Sequence, residues 1–361
     1  MFEIKTASWE HLSLLPSISY NESHSTPATT SIYNISFRRR KEAAMSEHVA
    51  LQPVDAAEVT ILVDNVMDAL LPSTKTVCRA PMGWDSFEAE PLIAEHGYSL
   101  LLTVRTNGHT ESILYDTGLG KDTLVHNMDV LGIDPGDLRA IVLSHGHTDH
   151  HGGLMGLLKR LGRRRMPLLL HPDAWQERKV VFPGGDELHL PAPSRADLVS
   201  EGVEVLERRD PSLLLDGSVL VTGQVAHTTE FEQGPASHLA HTENGWEPDV
   251  WVWDDQAAVV QVKDKGLVVI TGCSHAGIVN ILRYARELTD VDKIHAVIGG
   301  FHLSGGFFEK IIPPTVDELA TLKPDVIVPG HCTGWKAIHA IARTLPDAYV
   351  QTCVGTRLLF A

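Results

Sequence analysis

The chain has 361 residues, 43% of them hydrophobic, which is enough for one large core or two modest ones. Its formal net charge of −16 argues against nucleic acid as a partner, because an acidic surface repels a phosphate backbone. No apolar run approaches the roughly 20 residues that span a bilayer, and the N-terminus lacks a secretory signal, so a cytoplasmic protein without a membrane partner is expected.

Residues 1–55 are rich in Ser, Thr and Asn, show little periodicity and carry the run Arg38-Arg39-Arg40-Lys41. They read as a disordered N-terminal extension, with Met45 as an alternative natural start. Order begins near Val59, and 56–361 reads as one folded domain. Strands are predicted over Val59–Asp64, Tyr98–Val104, Ser112–Asp116 and Arg139–Ser144 from short apolar runs bounded by turn residues. A helix is predicted over Gly152–Leu161, then a strand over Met166–His171 leading into a helix near Asp173. The middle, about 180 to 255, reads as loop-rich with short strands.

Alternation then returns. Ala257–Val262 and Gly266–Ile270 read as a hairpin, Ile278–Leu288 as a helix and His295–Ile298 as a strand. Val316–Leu322 reads as a helix, Asp325–Val328 as a strand and Trp335–Leu345 as a helix. Clustered strands with intervening helices fit an α/β fold of two sheets covered by helices. Cys78, Cys273, Cys332 and Cys353 are scattered without a C-x-x-C pair, which fits a reducing compartment.

The chemistry is concentrated in Ser144-His145-Gly146-His147-Thr148-Asp149-His150-His151, between a predicted strand and a predicted helix. His145, His147, Asp149 and His150 offer imidazole nitrogen and carboxylate oxygen, which suit Zn²⁺, Fe or Mn²⁺. In a tight loop His145 and His147 can converge on one ion, with Asp149 and His150 directed to a second. A histidine-rich surface loop is the alternative, but four ligand-type side chains within six positions at a strand–helix junction set it aside.

The pattern His-x-His-x-Asp-His after a strand resembles the signature of the metallo-β-lactamase superfamily. Asp116, in Ile113-Leu114-Tyr115-Asp116, resembles the aspartate that orders the family's metal loop. Thr271-Gly272-Cys273-Ser274-His275, Gly299-Gly300-Phe301-His302 and Pro329-Gly330-His331-Cys332 are similar to one branch. That branch carries the name 7,8-dihydropterin-6-methyl-4-(β-D-ribofuranosyl)-aminobenzene-5′-phosphate synthase. The resemblance runs from Val59 to the C-terminus and implies an αββα sandwich of two mixed sheets, so that 56–361 is a single catalytic domain.

It also implies further ligands. His331 matches the family's last histidine, which binds the second metal. Cys273 stands where the wider family has a bridging aspartate, and is either a thiolate ligand or a small buried hydrophobe. A third imidazole for the first metal comes from His275 in preference to His227. His302 is either a catalytic proton donor, alongside Asp149, or a structural histidine. Trp246, Trp251 and Trp253 read as packing more readily than as a lid.

The expected function is a hydrolase holding two divalent cations, Zn²⁺ first and Fe or Mn²⁺ as alternatives. A hydroxide formed between them would attack an ester, lactone or phosphoester of a small-molecule substrate. An iron-dependent oxidoreductase or a pterin-precursor phosphate synthase-like enzyme are the alternatives, and a non-catalytic binding protein ranks last.

Overall fold

The computed structural model describes residues 48–80 and 90–361. The expected disorder of residues 1–47 lies outside the described residues. The expected extension reached residue 55, but its last described part packs on the domain. Leu51 is buried, and Val54 is fully buried and bridges Val262 in parallel. Two apolar side chains in a polar stretch suffice for this, and a composition average hides them.

Two mixed sheets form the centre. The first has eight strands, in the order Val77–Cys78, Arg357–Phe360, Ala56–Val63, Ser99–Thr106, His109–Tyr115, Leu138–Val142, Met166–Leu170 and Val203–Glu207. Its last four strands run parallel to one another. The second has six, in the order Ser212–Leu214, Val219–Val221, Ala258–Val262, Gly266–Ile270, Ile294–Gly300 and Val326–Gly330. Its last three are parallel.

Side-chain alternation sorts each strand between two cores. Val59, Ile61, Leu100, Leu102 and Tyr115 meet Val260, Val268, Ile270 and Ile298 between the sheets. Leu62, Leu114 and Ile141 face outward onto Leu124 and Met128 of helix Thr123–Leu131 and Leu154, Leu157 and Leu158 of helix Leu154–Leu161. On the far side, Val259, Leu267, Val269 and Val297 pack against helices Ile278–Thr289, Ile312–Leu322 and Trp335–Thr344. This is the expected αββα sandwich. Both faces of its central strands are buried, so those strands read as unbroken apolar runs.

Several elements differ from the sequence expectation. Helix Ile312–Leu322 begins a turn before Val316 because Pro313 and Pro314 lie in the first turn, where no intrahelical N–H donor is needed. The helix expected near Asp173 is a single 3₁₀ turn, Pro172–Trp175. A third, four-stranded antiparallel sheet occupies part of the loop-rich middle, in the order Gly245–Pro248, His238–Thr242, Arg178–Val181 and Glu187–Leu190. Among the described residues no helix is long and apolar enough to cross a membrane.

Helix Ile278–Thr289 is capped from a distant loop. The Glu232 carboxylate accepts from Val279 N at 2.8 Å and Asn280 N at 2.9 Å, and from Thr229 Oγ1 at 3.0 Å. It thereby satisfies two of the donors a helix start leaves open. Glu232→Ala is expected to lower unfolding free energy by about 1–2 kcal/mol, the usual worth of a cap. Urea denaturation followed by circular dichroism measures it, and an unchanged midpoint would show the cap to be idle.

Candidate metal centre

The carboxyl ends of the parallel strands of both sheets open onto one edge, where ligand sites of α/β sheets lie. Strand His109–Tyr115 delivers Asp116, Leu138–Val142 delivers the 144–150 loop, Gly266–Ile270 delivers Cys273 and His275, and Val326–Gly330 delivers His331. Asp116, Ser274, His302 and His331 have φ of 60, 60, 42 and 48°. Left-handed backbone at non-glycine residues costs about 1–3 kcal/mol each and persists where surrounding contacts enforce it. At Gly272 a Cβ would lie 2.2 Å from Ser144 Oγ, so only glycine lets the second ligand loop close on the first.

Asp116 organises the first loop. One carboxylate oxygen accepts from Ser144 N at 2.7 Å; the other accepts from Ser144 Oγ and from His150 Nδ1, each at 2.7 Å. The Ser144 hydroxyl proton is thus committed to Asp116, so Ser144 Oγ accepts from His145 Nδ1 at 2.9 Å. Both histidines donate through Nδ1 and so turn Nε2 towards the centre, which is how outer partners fix a ligand's orientation. His331 is oriented likewise, its Nδ1 donating to Asn65 Oδ1 at 3.2 Å and its backbone N–H to Asp64 Oδ1 at 2.9 Å.

The presented atoms fall into groups. His145, His147 and His275 form one, with ligand atoms within 4.8 Å of one another. Their rings stand edge to face, with centroids 4.5 to 4.8 Å apart. Asp149, His150, Cys273 and His331 form a second. There His150 Nε2 lies 3.1 Å from Cys273 Sγ, and His331 Nε2 lies 3.2 Å from Asp149 Oδ2. A third group, Cys273, His302 and Cys332, shares Cys273. His227 joins none of these groups; it packs against Trp251 and Trp253, with ring centroids at 4.3 and 5.0 Å. Trp246 lies apart, against His189 and His241.

The donor set fits cations. His145 Nε2 and His275 Nε2 are buried without a hydrogen-bond partner, a costly state for imidazole lone pairs unless something electrophilic meets them. Burial, reinforced by the neighbouring histidines, holds His145 and His275 well below the usual imidazole range, in the neutral form that ligates. In the second group, burial opposes the charge on His150, yet Asp149 and Asp116 push it up to about 9. Burial also opposes ionisation of Asp149, but His150 and His331 hold its carboxyl well below the carboxylate range. The buried Asp116 and half-buried Asp149 carboxylates thus demand positive charge here. Burial pushes the Cys273 thiol up, so a thiolate at this point requires a cation beside it.

Several structuring residues escape sequence reasoning. Asp254 Oδ2 accepts from Gly146 N at 2.7 Å, and Asp255 Oδ2 accepts from Ala276 N at 2.9 Å. Gln256 N and Nε2 donate to the Ser144 and Leu143 carbonyls. Three consecutive residues therefore tie both ligand loops together. Arg178 of the third sheet pairs with Asp254 at 2.5 Å and Asp249 at 2.8 Å, all three side chains being buried. The only sequence signal is a pair of acids directly before an apolar strand. His96 was also missed. It is largely exposed, with Nε2 3.8 Å from Asp149 Oδ2 and its ring 5.2 Å from His331. His302 sits beside His275, with ring centroids 4.1 Å apart.

The profile of the metallo-β-lactamase superfamily matches residues 94–331, and the chain belongs to that superfamily. With its convergent His, Asp and Cys groups it is a metal-dependent enzyme of that family. It is 34% identical over 277 residues to the 7,8-dihydropterin-6-methyl-4-(β-D-ribofuranosyl)-aminobenzene-5′-phosphate synthase of Methanocaldococcus jannaschii, covering 75% of this chain and 92% of the relative. An uncharacterised protein of the same archaeon is 28% identical over 260 residues, covering 72% of this chain and 92% of its own length. The crystal structure of a metal-dependent hydrolase of the β-lactamase superfamily superposes with a TM-score of 0.64 at 25% identity, over 84% of this chain and 98% of that one.

Proposed function

We propose that the chain is a dinuclear metal-dependent hydrolase acting on an ester, lactone or phosphoester bond of a small molecule. The observation that carries this reading is the pairing of a three-imidazole group, His145, His147 and His275, with an adjoining Asp149, His150, Cys273 and His331 group. Mixed nitrogen, oxygen and sulfur donors suit Zn²⁺ first, with Fe or Mn²⁺ as alternatives. When bound, such cations supply Lewis acidity to the substrate's electrophilic centre and acidify water. Free cysteines at all four positions are in keeping with a reducing, cytoplasmic setting.

The chain's own groups do the rest. Asp149, held ionised, accepts a hydrogen bond from the attacking water and aligns it. Asp116 and Ser144 keep His145 and His150 in register. His302, beside His275, donates a proton to the leaving group. His302→Ala is expected to lower kcat by roughly 10²-fold, as for loss of a general acid, with metal content unchanged. Steady-state kinetics with elemental analysis reads both, and an unaltered kcat would move the donor role to the exposed His96.

A second reading is favoured by the identity to the phosphate synthase, which spans 92% of that relative. In it the same centre acts on a phosphate-bearing pterin precursor. A panel of carboxylic esters, lactones, phosphomonoesters and phosphodiesters, assayed with metal-replete protein, separates the two. Turnover of one class supports hydrolysis. Full metal occupancy with no turnover overturns the hydrolase reading.

A further inference from the structure

Cys332, in the third group of ligand-type atoms, has no task in the centre described above. Cys273 and Cys332 lie on loops that leave strands Gly266–Ile270 and Val326–Gly330, on either side of Ile294–Gly300. Gly300 closes the intervening strand, and a Cβ there would lie 2.6 Å from Cys332 Sγ. The missing side chain is what lets the Cys332 thiol reach across the strand end towards its counterpart. Cys332 Sγ lies 3.5 Å from the Cys273 carbonyl oxygen, and both sulfurs and a His302 ring nitrogen are within 4.8 Å of one another. Neither cysteine is in a disulfide.

We propose that Cys273 and Cys332 are a peroxide-oxidisable dithiol, a modification site built into the second ligand group. The group's other members, Asp149, His150 and His331, can receive a cation with Cys273 alone, so Cys332 is a spare thiol held within reach of a ligand thiol. Cys332 is the more accessible of the two, at 9% against 2%. Its sulfur attacks one oxygen of a hydroperoxide and the O–O bond breaks. Cys332 becomes a sulfenic acid, its proton leaves by way of His302, and one molecule of water is released when the peroxide is H₂O₂. The Cys273 sulfur then attacks the sulfenic sulfur, the S–O bond breaks, and the departing hydroxide leaves as a second water, its proton coming from the Cys273 thiol in the metal-free protein or from solvent where Cys273 is a thiolate. Two electrons pass from the sulfurs to the peroxide and one S–S bond forms. That bond requires sulfurs about 2.05 Å apart, so the two side chains must close in from the 4.8 Å within which the group's ligand atoms lie. The Cys273 sulfur is then no longer a thiolate donor. The consequence for metal rests on the proposed function, in which Cys273 holds the second cation.

The test treats the full chain with H₂O₂ and quantifies thiols under denaturing conditions. Peptides are then mapped without reduction. Free thiols should fall from the four cysteines to two, with one cross-linked peptide joining Cys273 to Cys332 and reversal by dithiothreitol. Cys332→Ser should abolish the cross-link, and Cys78→Ser should leave it intact. Retention of all thiols, a cross-link through Cys78 or Cys353, or sulfinic acid at Cys273 without a cross-link would each overturn the dithiol. A chromogenic chelator added in parallel should report release of one equivalent of metal per cross-link. A cross-link formed without metal release supports the dithiol and instead removes Cys273 from the ligand set.

Discussion

Asp254→Ala is expected to lower the unfolding free energy by about 3–5 kcal/mol, the cost of stranding a buried charge. Asp254 is fully buried and carries two loads, the Arg178 guanidinium at 2.5 Å and the Gly146 N–H at 2.7 Å. Alanine leaves Arg178 buried with Asp249 as its remaining ionic partner, while the Arg178 Nη1 atom already lacks a hydrogen bond. It also leaves the Gly146 donor, in the middle of the metal loop, unsatisfied. The double variant Asp254→Ala/Arg178→Met should be more stable than Asp254→Ala alone, because it removes the stranded charge. Chemical denaturation of wild type and both variants gives the ordering. A double variant less stable than Asp254→Ala would show that Arg178 contributes through packing and not through its pairing.

Asp116→Ala should weaken metal binding by roughly 10–100-fold, the usual penalty for losing an outer partner of a ligating histidine. The carboxylate fixes His150 through Nδ1 and His145 through Ser144. Without it both imidazoles are free to rotate and to exchange tautomers, so the loss should appear in affinity before it appears in fold. Competition with a chelator of known affinity measures it. Asp116→Asn should recover only part of the loss, since its oxygen can accept from His150 and the Ser144 hydroxyl while its amide nitrogen repels the Ser144 backbone N–H that the other oxygen served. Wild-type affinity in the alanine variant would mean that the loop holds its shape without this carboxylate.

The fold and the first loop were legible for the same reason: local sequence dictates them. Strands such as Gly266–Ile270 bury both faces, so they appear as unbroken apolar runs between turn residues. His145, His147, Asp149 and His150 sit within six positions, so their chemistry survives without knowledge of tertiary contacts. His331 and Cys273 could be read because each follows such a run. The third sheet could not, since Glu187–Leu190 is exposed on three of its four residues and so carries no burial pattern. Arg178, Asp254 and His96 resemble any surface charge or loop histidine until the chain folds. Their partners lie far along the chain: Arg178 is 71 and 76 positions from Asp249 and Asp254, Asp254 is 108 from Gly146, and His96 pairs with Asp149 and His331 across still other loops. Strand Arg357–Phe360 was missed because four residues are too few to show a period.

The dinuclear centre is tested most directly by locating the bound metal. Anomalous diffraction from crystals of the metal-replete protein, with elemental analysis of the same batch, locates each cation and counts it. Two cations per chain are predicted, one bound by His145, His147 and His275 and the other by Asp149, His150, Cys273 and His331. A single cation, or one held by residues outside these two groups, would contradict the dinuclear centre.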